Sequence, residues 1–406
     1  MTVITSSNFA SSAHSGQNWR EVAKAILDDL TDVQSDEHDF TLGFVYVSDS
    51  LANDVGSILN LFRSVLGIQE WCGSVGIGVC GARAMYAGEP AIAAMITRLP
   101  KDDYAMLRLR DKAFEQWVQT HDPMLVLTHA PPNEESALMK NLKEIEAATN
   151  GFVVGGISLC RAENLPKTQI MEGAGVNITG GIDGVAFAAD VPVVSMMSQG
   201  YVALGGAHTI TDCDMQTIFT LGETSAQDAF ENDLRGFAMD KIGKDPDTII
   251  IDEGPLKGEF AEVFKGEILA GFPLGNTDNG DLLVRPVLGI DEDGSMAVQH
   301  HCFNNERVIF VHRSEETMVQ DLSHELVALR KRIEKEHGPI TPQTIQGGIY
   351  ISCAARAFNE NGRSNTAEID LIHDVLGDFP LCGFYSGGEI KGHRLYGYSG
   401  SLTLFL

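Results

Sequence analysis

The residues best suited to chemistry lie in two short stretches near the C-terminus. Cys353-Ala-Ala-Arg356 follows Ile349–Ser352, an apolar run that reads as a strand, and Gly383-Phe-Tyr385-Ser386-Gly387-Gly388-Glu389 lies beside a second strand-like run. If those strands are neighbours, Arg356 and Glu389 meet at one rim, with Cys353 and Tyr385 lining it. A guanidinium beside a thiol favours the thiolate, and it also offers a ligand carboxylate a bidentate grip. Three readings stay open on these residues. One is a structural Arg356–Glu389 pair beside an inert, buried Cys353. A second is recognition of a small anionic ligand, with Arg356 holding the anion and Tyr385 and Glu389 orienting it or binding an ammonium. Cys353, Ser386, Gly387 and Gly388 would then line the wall. The third is nucleophilic catalysis by Cys353, for which no His with a clear orienting partner is evident nearby. No residue is assigned a catalytic role.

Other motifs carry less. Gly76-Ile-Gly78-Val-Cys-Gly81 spells the dinucleotide fingerprint, which needs a preceding strand, a following helix and an acid further on. It sits instead inside a strand-like run, where glycines let another backbone or a ligand approach closely. His324-Glu325 begins a zinc-protease motif, but position 328 is Ala, so the second ligand is missing and His324 reads as a solvated helix residue. In His300-His301-Cys302 neighbours on a strand would face opposite ways, which favours a turn-edge role. No metal ligand is assigned. Covalent haem has no Cys-x-x-Cys-His; noncovalent haem needs one well-placed His and stays open.

Composition limits what surrounds these residues. The chain has 406 residues and a formal charge of −27, with no basic stretch, so a nucleic-acid partner is excluded on electrostatic grounds. Its 44% hydrophobic content suits a globular protein. Seven scattered cysteines, an odd number without Cys-x-x-Cys, argue against a secreted disulfide framework. No run reaches the roughly 18–20 apolar residues of a membrane helix. A cytoplasmic protein that does not engage membranes is expected.

The elements that must position the candidate site follow from periodicity. Residues 1–18 are Ser-rich and polar and read as a loose arm. Helices are expected from Trp19, over Val55–Leu66 with Gly67 as its stop, over Glu135–Ala148, from a Thr224 cap, and over Glu315–Glu336. Strand-like runs include Leu42–Val47, Trp71–Cys80, Ala91–Leu99, Met124–Thr128, Phe152–Ser158, Val185–Ala189, Val191–Met197, Ile249–Ile251 and Leu282–Ile290. The result is an α+β class. One pattern organises it. Val65-Leu66-Gly67, four residues, then Cys72-Gly73 recurs as Val375-Leu376-Gly377, four residues, then Cys382-Gly383. Upstream, the stretch from Gly43 to Ser48 resembles that from Gly347 to Ser352, with Tyr46 falling on Tyr350. A strand–helix–strand unit therefore occurs twice, which implies internal duplication with a pseudo-twofold cleft between copies.

These segments resemble a known family. Cys353-Ala-Ala-Arg356, Gly383-Phe-Tyr-Ser-Gly-Gly-Glu389 and the terminal stretch from Gly397 are similar to the C-terminal FIST module. Trp71-Cys-Gly-Ser-Val-Gly-Ile-Gly78, Phe152-Val-Val-Gly-Gly-Ile-Ser158 and Val185–Met197 are similar to the N-terminal FIST module. The resemblance implies a bacterial sensory role in cytoplasmic signal transduction, with amino acids or related small molecules as ligands. Some relatives bind haem and sense nitric oxide, and eukaryotic relatives join the modules to an F-box. It implies here two related, interlocked modules of mainly antiparallel sheets with flanking helices: an arm over 1–18, an N-terminal module over 19–221 and a C-terminal module over 222–406. The expected protein is a small-ligand sensor that passes its signal to a separate protein such as a histidine kinase or cyclase. The alternatives are a Cys353-dependent enzyme and a haem-based nitric oxide sensor.

Overall fold

The computed structural model describes residues 3–33, 40–161, 170–172, 175–177, 181–243, 263–275, 281–358, 362 and 364–406. The expected strand Ile249–Ile251 lies outside them. The chain forms two compact units, one from Met1–Ser198 with Leu322–Leu406 and one from Gln199–Asp321. The expected module boundary near residue 222 falls inside the second of these.

The larger unit is built three times over, not twice. The first repeat runs β2 (Phe9–Ser15, after the short β1, Val3–Thr5), α1 (Trp19–Thr31), β3 (Leu42–Ser48), α2 (Val55–Leu66), β4 (Glu70–Gly76), a hairpin β5 (Gly78–Gly81) and β6 (Ala84–Ala87), then β7 (Ala91–Thr97). The second has the same order: β8 (Tyr104–Met106), α3 (Lys112–His121), β9 (Leu125–Ala130), α4 (Glu135–Thr149), β10 (Phe152–Ile157), hairpin β11 (Ile170–Glu172) and β12 (Gly175–Asn177), and β13 (Asp183–Phe187). The third opens with β14 (Val193–Ser198) and is then interrupted by the smaller unit.

That interruption holds β15 (Val202–Ala203), β16 (His208–Asp214), β17 (Thr217–Leu221), β18 (Thr224–Ser225), α5 (Ala226–Ile242), β19 (Glu267–Pro273), β20 (Leu282–Ile290), β21 (Met296–Val298) and β22 (Arg307–Arg313). Its strands follow the order β22-β16-β17-β21-β20-β19, and β19 pairs back onto β22, so the sheet closes into a small antiparallel barrel. The α5 helix is capped by Ser225, whose Oγ accepts from the Asp228 N–H at 3.0 Å, one residue beyond the expected Thr224. The third repeat resumes through α6 (Glu315–His337) into β23 (Gly347–Cys353), α7 (Ala367–Leu376), β24 (Leu381–Ser386), hairpin β25 (Glu389–Lys391) and β26 (Arg394–Tyr396), and β27 (Gly400–Phe405).

Each repeat forms one sheet with the same strand logic. A parallel pair (β3–β4, β9–β10 or β23–β24) is joined by a crossover helix, and an antiparallel strand (β7, β13 or β27) flanks its first member. The second member pairs with a hairpin from another repeat: β5 joins β24, β25 joins β10 and β11 joins β4. The exchange is cyclic, so every sheet needs a strand from a neighbour. Because side chains alternate across a strand, one face of all three sheets converges on a shared core that includes Phe44, Leu127, Val154, Ile351 and Phe384. The opposite faces are covered by each repeat's own helices, through Ile26 and Phe62 in the first, Leu138 and Leu142 in the second, and Leu326 and Ile372 in the third.

The register refines the duplication seen in the sequence. Phe44 pairs with Cys72 and Ile349 with Cys382, so Gly43 corresponds to Gly348, one residue away from the Gly43–Gly347 match. A slip of one residue exchanges the two faces of a strand. Tyr46 indeed points into the shared core, whereas Tyr350 points outward under its helices. One glycine position recurs in all three repeats for a clear reason. A Cβ on Gly73 would lie 1.7 Å from the Val45 carbonyl oxygen, on Gly383 1.7 Å from that of Tyr350, and on Gly155 1.9 Å from that of Thr128.

The N-terminal stretch is not a loose arm. Phe9–Ser15 pairs along its length with β7 and is mostly buried, because Phe9 packs on Phe405 at 5.1 Å between ring centroids. The expected strand Trp71–Cys80 is two strands, β4 and β5, which belong to different sheets. The glycines of the apparent dinucleotide fingerprint serve that crossing. A Cβ at Gly76 would meet the Tyr385 carbonyl at 2.6 Å, and one at Gly78 that of Tyr86 at 2.6 Å. His324 is a solvated helix residue as expected, with its side chain 80% exposed.

Candidate functional site

The third repeat brings the sequence-selected residues together. β23 and β24 are parallel neighbours, with Ser352 opposite Tyr385 and Cys353 opposite Ser386. The chain after β23 turns at once into a short 3-10 helix, Ala354–Arg356, which aims Arg356 back under the sheet. The guanidinium is fully buried, at 0% exposure. Its ion-pair partner is not Glu389 but Glu368, in the first turn of α7, which reaches the guanidinium through Nη2. Arg356 Nη1 also donates to the Ser198 carbonyl at 3.2 Å. Burial opposes the guanidinium's charge, but Glu368, Tyr350 and Glu389 outweigh it and hold the Arg356 pKa above its ordinary value.

Glu389, also at 0% exposure, is held separately. Its Oε1 accepts from Ser386 Oγ at 2.6 Å, and its Oε2 accepts from Ser399 Oγ at 2.6 Å and the Ser399 N–H at 3.2 Å. Burial pushes its pKa up to about 7, against those hydrogen bonds and the nearby Arg356 charge. Gly387 donates to the Ile157 carbonyl at 2.9 Å and the Gly388 carbonyl accepts from the Ile157 N–H at 2.9 Å, so these two glycines join the third repeat to the second. Gly388 takes φ +156, a conformation L side chains seldom adopt. Cys353 is buried, its N–H donating to the Ser399 carbonyl at 2.8 Å.

Beneath the sheet, Ser352 Oγ donates to Glu368 Oε2 at 3.0 Å. The Tyr350 hydroxyl packs against Gly400, where a Cβ would sit 2.4 Å from it and 3.3 Å from Arg356 Nη1. Burial raises the pKa of Tyr350 and of Tyr385 well above the ordinary phenol value, so both stay protonated. The Tyr350 and Tyr385 hydroxyls and Arg356 Nε are buried and make no hydrogen bond to a protein group. Cys80, on the hairpin lent by the first repeat, lies in the same apolar cluster, and burial pushes its thiol pKa up.

Sequence reasoning singles out Arg356, Tyr385, Ser386 and Glu389 but not Glu368, Ser352, Tyr350 and Ser399, which the fold brings into the same cluster. Glu368 reads locally as an ordinary acid in a first helical turn, favourable to the dipole wherever it points. Ser352 and Tyr350 were visible only as members of a strand.

The family is now decided by direct match. The FIST N domain matches residues 41–224 and the FIST C domain residues 256–391. The chain belongs to the FIST family. FIST modules are associated with signal transduction and small-ligand sensing. Among its relatives, Uncharacterized protein Rv0628c of Mycobacterium tuberculosis is 24% identical over 348 residues, covering 82% of this chain and 83% of the relative. Uncharacterized protein Mb0898c of Mycobacterium bovis is 25% identical over 236 residues, 56% of this chain and 54% of its own length. No helix among the described residues is long and apolar enough to cross a membrane.

Proposed function

We propose that this FIST protein is a small-ligand sensor whose ligand addresses the polar cluster of the third repeat. The observation that carries the reading is an internal control. The outward positions held by Tyr350, Ser352 and Tyr385 are Val45, Val47 and Val75 in the first repeat, and Thr128, Ala130 and Ile157 in the second. The fold thus tolerates an almost wholly apolar layer here. Burying a guanidinium, two carboxylates and two phenols costs free energy that hydrophobic residues would not. The third repeat carries that cost and still leaves three donors, Arg356 Nε, Tyr350 Oη and Tyr385 Oη, without a protein acceptor. Donors in search of an acceptor suit an oxygen-bearing ligand head, such as the carboxylate of an amino acid or a related anionic metabolite.

In this reading Arg356 and Tyr385 meet the ligand's oxygen, and Glu368 keeps the guanidinium oriented. Ser386 and Ser399 hold Glu389 near the Arg356 charge, and Gly387 and Gly388 fix the strand end. The output passes to a separate signalling protein in the cytoplasm. A thermal-shift screen of amino acids and simple carboxylates tests it, since a specific ligand stabilises by roughly 2.7 kcal/mol at a hundredfold excess over its dissociation constant. The Tyr385→Phe variant should keep its fold and lose the response. A full response in Tyr385→Phe and in Arg356→Lys would remove the cluster from its role.

A further inference from the structure

The triplication shows where the barrel was added. In the first repeat the opening strand passes to its helix between Ser15 and Trp19, and in the second between Met106 and Lys112. In the third the same turn, after Ser198, holds the whole barrel before the helix that starts at Glu315. Ser198 is therefore the last residue of the repeat framework before the chain departs.

That residue is also one that Arg356 holds. The guanidinium divides its donors among three directions: Nη2 to Glu368, Nη1 to the Ser198 carbonyl at 3.2 Å and, more weakly, the Tyr398 carbonyl at 3.5 Å, and Nε with no protein acceptor. On the other side of the peptide bond, the Gln199 and Gly200 N–H groups both donate to Asp321 Oδ2, at 2.8 and 2.9 Å. The Gly200 carbonyl accepts from Thr317 Oγ1 at 3.0 Å. Asp321, in the second turn of α6, is the residue with which the smaller unit ends, so its carboxylate ties the outgoing segment of the neck to the returning helix. A rigid planar fork cannot rotate toward a new acceptor on Nε without moving its other two arms.

We propose that the barrel at Gln199–Asp321 is the reporting element of the protein, coupled to the third-repeat cluster through the hold of Arg356 on the Ser198 carbonyl and the Asp321 clasp that follows it. This rests on the ligand-binding reading above and adds the route by which occupancy leaves the site. The coupling is reciprocal: whatever engages the barrel and loosens the neck changes ligand affinity by the same factor.

Amide hydrogen exchange on the full chain tests it, because the Gln199 and Gly200 amides report the neck directly. The doubly neutral Arg356→Gln/Glu368→Gln variant avoids stranding a buried charge. It should exchange those two amides at least tenfold faster than wild type, while the β22 amides keep their protection. Exchange at 199 and 200 unchanged, with loosening confined to β23 and β24, overturns the coupling. Asp321→Asn, which leaves the cluster untouched, should accelerate the same two amides. In wild type, sodium acetate at concentrations that raise the melting temperature should change exchange at 199 and 200. Stabilisation by acetate without such a change defeats the coupling but leaves the binding site standing. If acetate fails to stabilise, the binding reading is what suffers, and the two variants still decide the coupling.

Discussion

The third repeat and the first share a strand order, a crossover helix, a recurring glycine and a borrowed hairpin, yet they fill the layer under the sheet in opposite ways. The first packs Val45, Val47 and Val75 beneath α1 and α2, and its buried Asp49, just past β3, is met by Arg161. The third puts Tyr350, Ser352 and Tyr385 in those places and surrounds Arg356 with Glu368 and Glu389. The difference separates what the architecture requires from what has been placed upon it. An apolar layer suffices for folding; the ionic layer must be explained by something else.

The sharpest way to break that comparison is to unbalance the ionic layer. Glu368→Ala strands a buried guanidinium and should cost about 3–5 kcal/mol in urea unfolding, whereas Val47→Ala at the first repeat should cost far less. A loss under about 1 kcal/mol for Glu368→Ala would mean that Arg356 is solvated after all. Next in size is a pH effect. The folded pKa of Glu389 stands near 7, above its ordinary value, so its contribution is complete below about pH 4.5 and is lost as pH rises through 7. Up to about 3 kcal/mol of stability should fade across that window, and Glu389→Gln should flatten the profile there. An unchanged slope in Glu389→Gln would assign the titration to another group.

The shared part of the architecture predicts equality rather than difference. Ala at Gly73 or Gly383 drives a Cβ into a carbonyl of the neighbouring parallel strand, and each should lose about 1–3 kcal/mol, with similar values for the two. A large loss at one and none at the other would deny their equivalence. The smallest effect belongs to Tyr385→Phe, which removes a buried hydroxyl without a protein partner and should change stability by under about 1 kcal/mol in either direction. Its value lies in dissociating stability from ligand response.

Much of the local structure could be read from residue order. The stripe Met318, Leu322, Leu326, Leu329 and Ile333 marks α6 and is buried along its length. Gly67 ends α2 in the left-handed conformation at φ +75, as a stop glycine should. Arg356 and Glu389 feel each other's charge, but the expected pair between them is replaced by Arg356–Glu368; the glycines between Gly76 and Gly81 do admit a foreign backbone. The second repeat was invisible because its strands carry different residues at the same positions: Val154 stands where the other two have Cys72 and Cys382. The misplaced Tyr46–Tyr350 match arose because identical letters outweighed register. The loose arm was read from a Ser-rich composition, which does not reveal that Phe9 has a ring from the far end of the chain to pack on.

Short-range physics is written in the chain itself: hydrophobic period, capping side chains and glycine stops act over a few residues, so strands, helices and their ends follow from order alone. Which strands pair, which repeat lends its hairpin to which sheet, and whether Arg356 turns to Glu368 or to Glu389 depend on groups brought together across long stretches of chain. Those choices are made by the packing of whole faces and by the need to neutralise buried charge, and only the folded chain contains them.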